Sequence, residues 1–84
     1  MRSNGTIAIP DERNKGKYTV CHFRVEHLEK PDGERGIDGG KIIGLTIRAD
    51  GTVLAAYDRG WEVKPDEDNL TVQSAYAIMI LQFN

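Results

Sequence analysis

Up to Val63 the apolar and polar positions alternate mostly with period two, and beyond Asn69 that alternation gives way to an almost unbroken apolar run. Period two is the signature of strands with one buried face. Thr6–Ile9 is a short strand candidate ended by Pro10, and Asp11–Gly16 is polar and turn-rich. Lys17–Glu29 is the longest β-like stretch. Within it Thr19, Cys21, Phe23 and Val25 form the more apolar set and are expected to face the core, leaving Tyr18, Val20, His22, Arg24 and Glu26 on the opposite face. Pro31-Asp32-Gly33 breaks the strand. The loop to Gly40 carries four glycines, Gly33, Gly36, Gly39 and Gly40, where the backbone needs freedom or close approach. Lys41–Arg48 and Thr52–Tyr57 flank Asp50-Gly51, a strong hairpin signal. Asp58-Arg59-Gly60 ends that hairpin, and Trp61-Glu62-Val63 reads as an irregular extension.

Pro65-Asp66-Glu67-Asp68 marks a helix start, with Asp66 as the capping residue and acidic side chains in the first turn. The helix is expected from about Glu67 to Leu81. The Ile and Tyr content of Leu70–Phe83 also permits a strand there. The fold class is therefore α+β: an antiparallel β-meander of about four strands packed against one C-terminal helix, as a single domain over residues 1–84.

No residue from Asn69 to Asn84 is charged. Wound at helical pitch, Leu70, Ala77 and Leu81 fall on one side, and Val72, Met79 and Phe83 fall nearly opposite, beside Tyr76. A helix lying on one sheet buries one stripe and wets the other. Apolar residues on both sides imply a partner. A homodimer with helices at the interface is the expectation, and a curved sheet wrapping the helix is the alternative.

Composition narrows the function. The chain has 84 residues and a net charge of −2, with 11 basic and 13 acidic side chains interspersed. A concentrated basic face, as general nucleic-acid binding requires, is absent from the sequence. Met1–Gly5 lacks the apolar run of a signal peptide. No stretch approaches the roughly 18 apolar residues of a membrane span. The single cysteine, Cys21, cannot form an intramolecular disulfide and belongs to no zinc-type cluster. A cytoplasmic location is the expectation.

Candidate chemistry is sparse. His22 and His27 have odd spacing and point to opposite faces of one strand, which disfavours a two-histidine metal site. Cys21 lies on the expected core face, away from His22, without the neighbouring base that a nucleophile needs. Asp38, Asp50 and Asp58 sit at turns, where Asp commonly bonds the backbone. No phosphate-binding motif of Walker or dinucleotide type is present. The most informative segment is Tyr57-Asp58-Arg59-Gly60-Trp61. It reads either as a tight structural corner, with Trp61 filling the gap between sheet and helix, or as a binding corner. In the second reading Tyr and Trp supply flat surface and Arg a planar charged fork. The expected binding set is Arg24, Asp38, Tyr57, Asp58, Arg59 and Trp61, with no catalytic residue, no metal and no cofactor.

Gly36-Ile37-Asp38-Gly39-Gly40-Lys41-Ile42, followed by Leu45–Arg48, Asp50-Gly51 and Tyr57–Trp61, resembles a family of small uncharacterised domains found in phages, prophages and Gram-positive bacteria. The resemblance covers roughly residues 18–80 and leaves Met1–Lys17 outside. It implies a phage-type accessory protein and carries over no enzyme activity. The function expected on that basis is a non-enzymatic inhibitor that binds a host defence protein such as a CRISPR effector, or another host or phage protein. The alternatives are a sponge for a small nucleotide signal, with a pocket near Tyr57–Trp61, and a structural phage protein without a discrete site. Neither direct nucleic-acid binding nor membrane association is expected.

Overall fold

The computed structural model describes residues 1–11 and 13–84. The turn expected at 11–16 includes Glu12, which lies outside the described residues. Five antiparallel strands, β1 (Arg2–Pro10), β2 (Tyr18–His27), β3 (Ile42–Ala49), β4 (Thr52–Asp58) and β5 (Trp61–Val63), form one sheet in sequential order. A single helix, α1 (Leu70–Phe83), follows them. The α+β meander with a C-terminal helix is as the sequence pattern predicts.

Two strands differ from expectation in extent. β1 starts at Arg2 because the register with β2, Arg2 opposite Glu26 through Pro10 opposite Tyr18, continues the ladder through residues of low strand preference. Pro10 is tolerated because β1 is an edge strand. The Trp61–Val63 extension is a fifth strand, with Tyr57 opposite Trp61 and Ala56 opposite Val63. The Asp50-Gly51 hairpin is a two-residue loop between paired Ala49 and Thr52. Asp50 and Gly51 both have positive φ, 52° and 74°, as a turn matched to strand twist requires.

The helix begins three residues later than the acidic cluster suggests. Asn69 is the cap, its Oδ1 accepting from the Val72 N–H at 3.1 Å. Asp66 instead closes the preceding turn by accepting from the Asp68 N–H at 2.9 Å. Gln73 Nε2 ties that turn back by donating to the Pro65 and Asp66 carbonyls.

Val72, Ala75 and Met79 form the seam that α1 lays on the sheet, and all three are fully buried. They meet Ile9, Cys21, Val25, Ile42, Leu45, Ile47, Ala55 and Tyr57 in one core. Tyr76, Ile78, Ile80 and Phe83 are partly buried against the same core. Register shifts at Glu26/His27, Ile47/Arg48 and Ala56/Tyr57 each add local twist and bend. The sheet thus covers the Val72–Met79–Phe83 side of α1. The opposite side stays in water, with Leu81 89% exposed and Leu70 52%.

The long loop between β2 and β3 is a built structure. Asp32 Oδ1 accepts from the N–H groups of Glu34 and Arg35, and Asp32 Oδ2 pairs with the Arg35 guanidinium at 2.9 Å. A short 3-10 turn, Ile37–Gly39, follows and buries Ile37 in the core. Gly36 is required by close approach, since a Cβ there would lie 1.9 Å from the Gly40 carbonyl oxygen. Asn84 closes the loop from the helix end: its Oδ1 accepts from the Ile42 N–H at 2.9 Å and its Nδ2 donates to the Ile37 carbonyl at 3.2 Å.

Three stability predictions follow from these contacts. Asn84→Ala leaves the part-buried Ile42 N–H unpaired, which costs about 1–3 kcal/mol. At roughly 4–8 °C per kcal/mol, calorimetry reads this as a clear drop in Tm. The Asp32 carboxyl is held below the usual aspartate range, first by the Arg35 N–H and then by the Arg35 guanidinium. Its contribution is therefore present above the ordinary value of about 3.9 and is lost as pH falls through the depressed folded value. Asp32→Asn is expected to be less stable than the parent at neutral pH, with the gap in urea midpoint closing at acid pH. Cys21 is 0% exposed, and burial, with the charge of Asp50 second, pushes its thiol up. It should resist a thiol reagent in the native state and react at full stoichiometry only in denaturant.

Candidate functional site

Strand alternation divides the expected binding residues between the two sides of the sheet. Tyr57 lies on the helix side, buried, with its hydroxyl donating to the Arg35 carbonyl at 2.9 Å. Trp61 stands edge-on to Tyr57 at 5.0 Å and to Tyr76 at 5.6 Å. Such edge-to-face contacts are a favoured aromatic geometry. The three rings form a column that joins β4 and β5 to α1. The phenol of Tyr76 is pushed up by burial first and then by the nearby charges of Asp38 and Tyr57. Asp38 follows Ile37, which is buried in the same core, and is itself exposed and left-handed at φ 49° within the 3-10 turn.

Asp58, Arg59 and Arg24 line the other side together. The turn that carries the first two is fixed by backbone bonds, Asp58 N–H to the Gly60 carbonyl at 2.9 Å and Arg59 N–H to the Ile43 carbonyl at 3.0 Å. Arg59 adopts φ 56°, a region that side chains seldom enter, and its guanidinium donates to Asp58 at 2.7 Å. The corner is thus divided between the two sides of the sheet. Its aromatic half packs the fold, and its charged half faces water beside Arg24.

That water-facing side is the sheet face that α1 leaves bare. Cross-strand register arranges it in rows: Thr6–His22–Arg48–Val53, then Asn4–Arg24–Thr46–Ala56, then Arg2–Glu26–Gly44–Asp58. His22, Arg24 and Arg48 are all exposed. His22 stands directly opposite Arg48, and Arg24, two residues from His22 on the same strand, is the diagonal neighbour of Arg48 at roughly 7–8 Å. A shallow depression of about 890 Å³ runs over Asn4, Thr6, Val20, His22, Arg24 and Arg48. It adjoins a second of about 470 Å³ lined by Arg2, Arg24, Glu26, Asp58, Arg59 and Glu62. Acidic groups sit at the ends of the face, with Glu26, Asp58 and Glu62 at one and Asp50 at the other. His22, Arg24 and Arg48 are, among the described residues, the ionisable side chains of the two middle rows, beside Asn4, Thr6 and Thr46. Among the described residues the ion pairs are Asp32–Arg35 and Asp58–Arg59, both local in sequence, so the guanidiniums of Arg24 and Arg48 hold no carboxylate there.

Tyr18, which is 64% exposed, His22 and Arg48 belong to this face and were absent from the expected set. The alternation of β2 had already put Tyr18, His22 and Arg24 on one side. Arg48 had the same signal more weakly: Leu45 and Ile47 alternate with Gly44, Thr46 and Arg48, but Ile42 and Ile43, both buried where the register shifts, obscure the alternation at the start of β3. His27 points away from His22 and packs on the Phe83 ring at 5.2 Å. No group of three or more His, Cys, Asp or Glu side chains gathers among the described residues. No helix among them is long and apolar enough to cross a membrane. The exposed guanidiniums of Arg24 and Arg48 can offer planar cationic forks to carboxylate or phosphate oxygens.

No curated protein and no solved structure matches the chain. A family model does match, over residues 1–84, and so includes the N-terminal segment that pairs as β1. The chain belongs to that family, described as Domain of unknown function (DUF7678).

Proposed function

We propose that this chain is a non-enzymatic, phage-type accessory binding protein that docks an acidic protein surface on its open sheet face, the partner being a host defence protein such as a CRISPR effector. The observation that carries the reading is the basic middle of that face, where His22, Arg24 and Arg48 come together from two adjacent strands and, among the described residues, form no ion pair. Arginine forks bind carboxylates through paired hydrogen bonds, and Arg and Tyr are among the side chains that dominate interface energy. Tyr18 stands exposed along the same strand. A rigid sheet also presents these groups at little entropic cost on binding. The phage setting, the defence partner and action in the host cytoplasm rest on the resemblance of Gly36–Ile42 and Tyr57–Trp61, and the face supplies the chemistry of contact.

A nucleotide sponge is the second reading, supported by the smaller depression beside Arg24 and Arg59, whose volume of about 470 Å³ lies in the range of small-ligand sites. It ranks lower because the rings of Tyr57 and Trp61 are committed to each other and to Tyr76, which leaves Arg59 without an aromatic face for a base within one chain.

The double charge reversal Arg24→Glu/Arg48→Glu tests the docking face. Both positions are exposed, so Tm should stay within the narrow range of surface substitutions, about 0.5 kcal/mol. Binding to the captured partner should weaken by a factor of ten for roughly every 1.4 kcal/mol lost, with 2 kcal/mol or more expected for a hot-spot arginine, about 30-fold. The readout is quantitative capture of a tagged protein's partner from host cells, parent against variant. It is joined by the plating efficiency of a targeted phage on a host with an active CRISPR effector. Equal capture by parent and variant would refute the face. A saturable Tm rise with cyclic nucleotides, abolished by Arg59→Ala, would move the sponge ahead.

A further inference from the structure

We infer that α1 is the contact of a two-fold symmetric dimer of this chain, the helices antiparallel, with Leu70 of one protomer against the partner's Leu81 and Ser74 against the partner's Ala77. The inference stands on the other side of the sheet from the docking face and is independent of it.

Its basis is the outer ridge of the helix. The side chains of α1 that the sheet leaves exposed include Leu70, Ser74, Ala77 and Leu81. They follow one another at intervals of four, three and four residues, which keeps them on a single stripe and is the seam spacing of paired helices. Leu81 is 89% exposed and Leu70 52%. Isolated exposed leucines are common, but these two close a continuous stripe on a helix without a single charge from Asn69 to Asn84.

The ridge is also the same read from either end: large, small, small, large. A two-fold axis demands this property, because the same patch must fit itself after reversal. An unrelated partner demands no such symmetry. The small pair, Ser74 and Ala77, falls at the centre, where two crossing helices come closest, at about 8–10 Å between axes. The leucines then fall at the two ends, each filling the space beside the other protomer's opposite end.

Charge selects the antiparallel sense. Asp66, Glu67 and Asp68 immediately precede α1. Parallel helices would set two such clusters side by side. Antiparallel helices hold them apart by the length of a 14-residue helix, about 21 Å, beyond the screening length of physiological salt. The helix dipoles also oppose each other favourably in that sense. Because α1 and the bare sheet face lie on opposite sides of the sheet, the dimer turns two docking faces outward. That makes it bivalent toward a repetitive or dimeric partner.

Sedimentation of the full chain from micromolar to millimolar concentration should show reversible growth from the 9.4 kDa monomer to twice that mass. A helix-pair contact sits at the small end of interface sizes, below about 1,200 Å² in total, so a concentration-dependent equilibrium is the expected form. Ala77→Glu puts two carboxylates at the axis and should hold the protein monomeric throughout, with its circular dichroism retained and its Tm equal to that of the parent at concentrations where the parent is monomeric, because position 77 is exposed. Leu81→Gln should shift the equilibrium the same way, and Arg24→Glu/Arg48→Glu should leave it unchanged. For the register, an oxidised mixture of Leu70→Cys and Leu81→Cys proteins should yield the 70–81 cross-link in excess over 70–70 and 81–81. A monomer at every concentration would overturn the inference and leave the ridge to a different partner. A dimer that survives Ala77→Glu, or one that cross-links 70 to 70, would overturn it equally.

Discussion

An α-helix is about 10–12 Å across with its side chains, whereas five strands spaced about 4.8 Å apart span nearly twice that width. One helix cannot cover such a sheet, and this shortage of cover shapes the molecule. Val72, Ala75 and Met79 seal the middle. The β4–β5 side lies beyond their reach, and there the Tyr57–Trp61–Tyr76 column takes over. These rings reach further than aliphatic side chains and keep their polar ends at the margin, where the Tyr57 hydroxyl finds the Arg35 carbonyl. The corner that carries the most distinctive residues of the chain is thus first a device for closing a core that the helix leaves open.

The same shortage explains the glycine-rich loop. Ile37 is driven under the helix end and is almost fully buried, which requires the backbone around it to fold tightly on itself. Asp32 and Arg35 close its front, Gly36 admits the Gly40 carbonyl, and Asn84 ties its rear to the first residue of β3. The last residue of the chain and a loop more than forty positions earlier form one hydrogen-bonded unit. Buried backbone groups in a loop must find partners, and here a side chain at the helix terminus supplies them.

Covering one side of the sheet leaves two surfaces wet that are chemically unlike. The bare sheet face is basic at its centre with acidic ends, whereas the outer helix ridge is uncharged and apolar. Charged rows suit a partner read by hydrogen bonds and steering, and an uncharged palindromic ridge suits a second copy of itself. The two do not compete, because the sheet stands between them. Association at either surface would add stability to a domain with a small core.

Much of this was legible in the order of residues. Alternation in Tyr18–Glu26 showed which side of β2 meets the core, Asp50-Gly51 signalled a hairpin, and the uncharged run after Asn69 pointed to a helix with more apolar surface than one sheet can use, while its Ile and Tyr content left a strand open. These are local properties, set by side-chain period and turn stereochemistry. Other features depended on long-range pairing that no window of sequence contains. Arg2–Gly5 is strand only because β2 offers a ladder, and Asp66 loses the helix cap to Asn69 once Gln73 ties the turn back. Arg48 joins Arg24 only through the register between β2 and β3, which no alternation within either strand specifies. Tyr57 and Trp61 part company from Asp58 and Arg59 for the simplest reason: neighbours in a strand point to opposite sides. The sequence alone determined that the corner was rich in chemistry; only the tertiary structure, by choosing which side of the sheet the helix covers, decided that its rings would hold the fold and its charges would meet the outside.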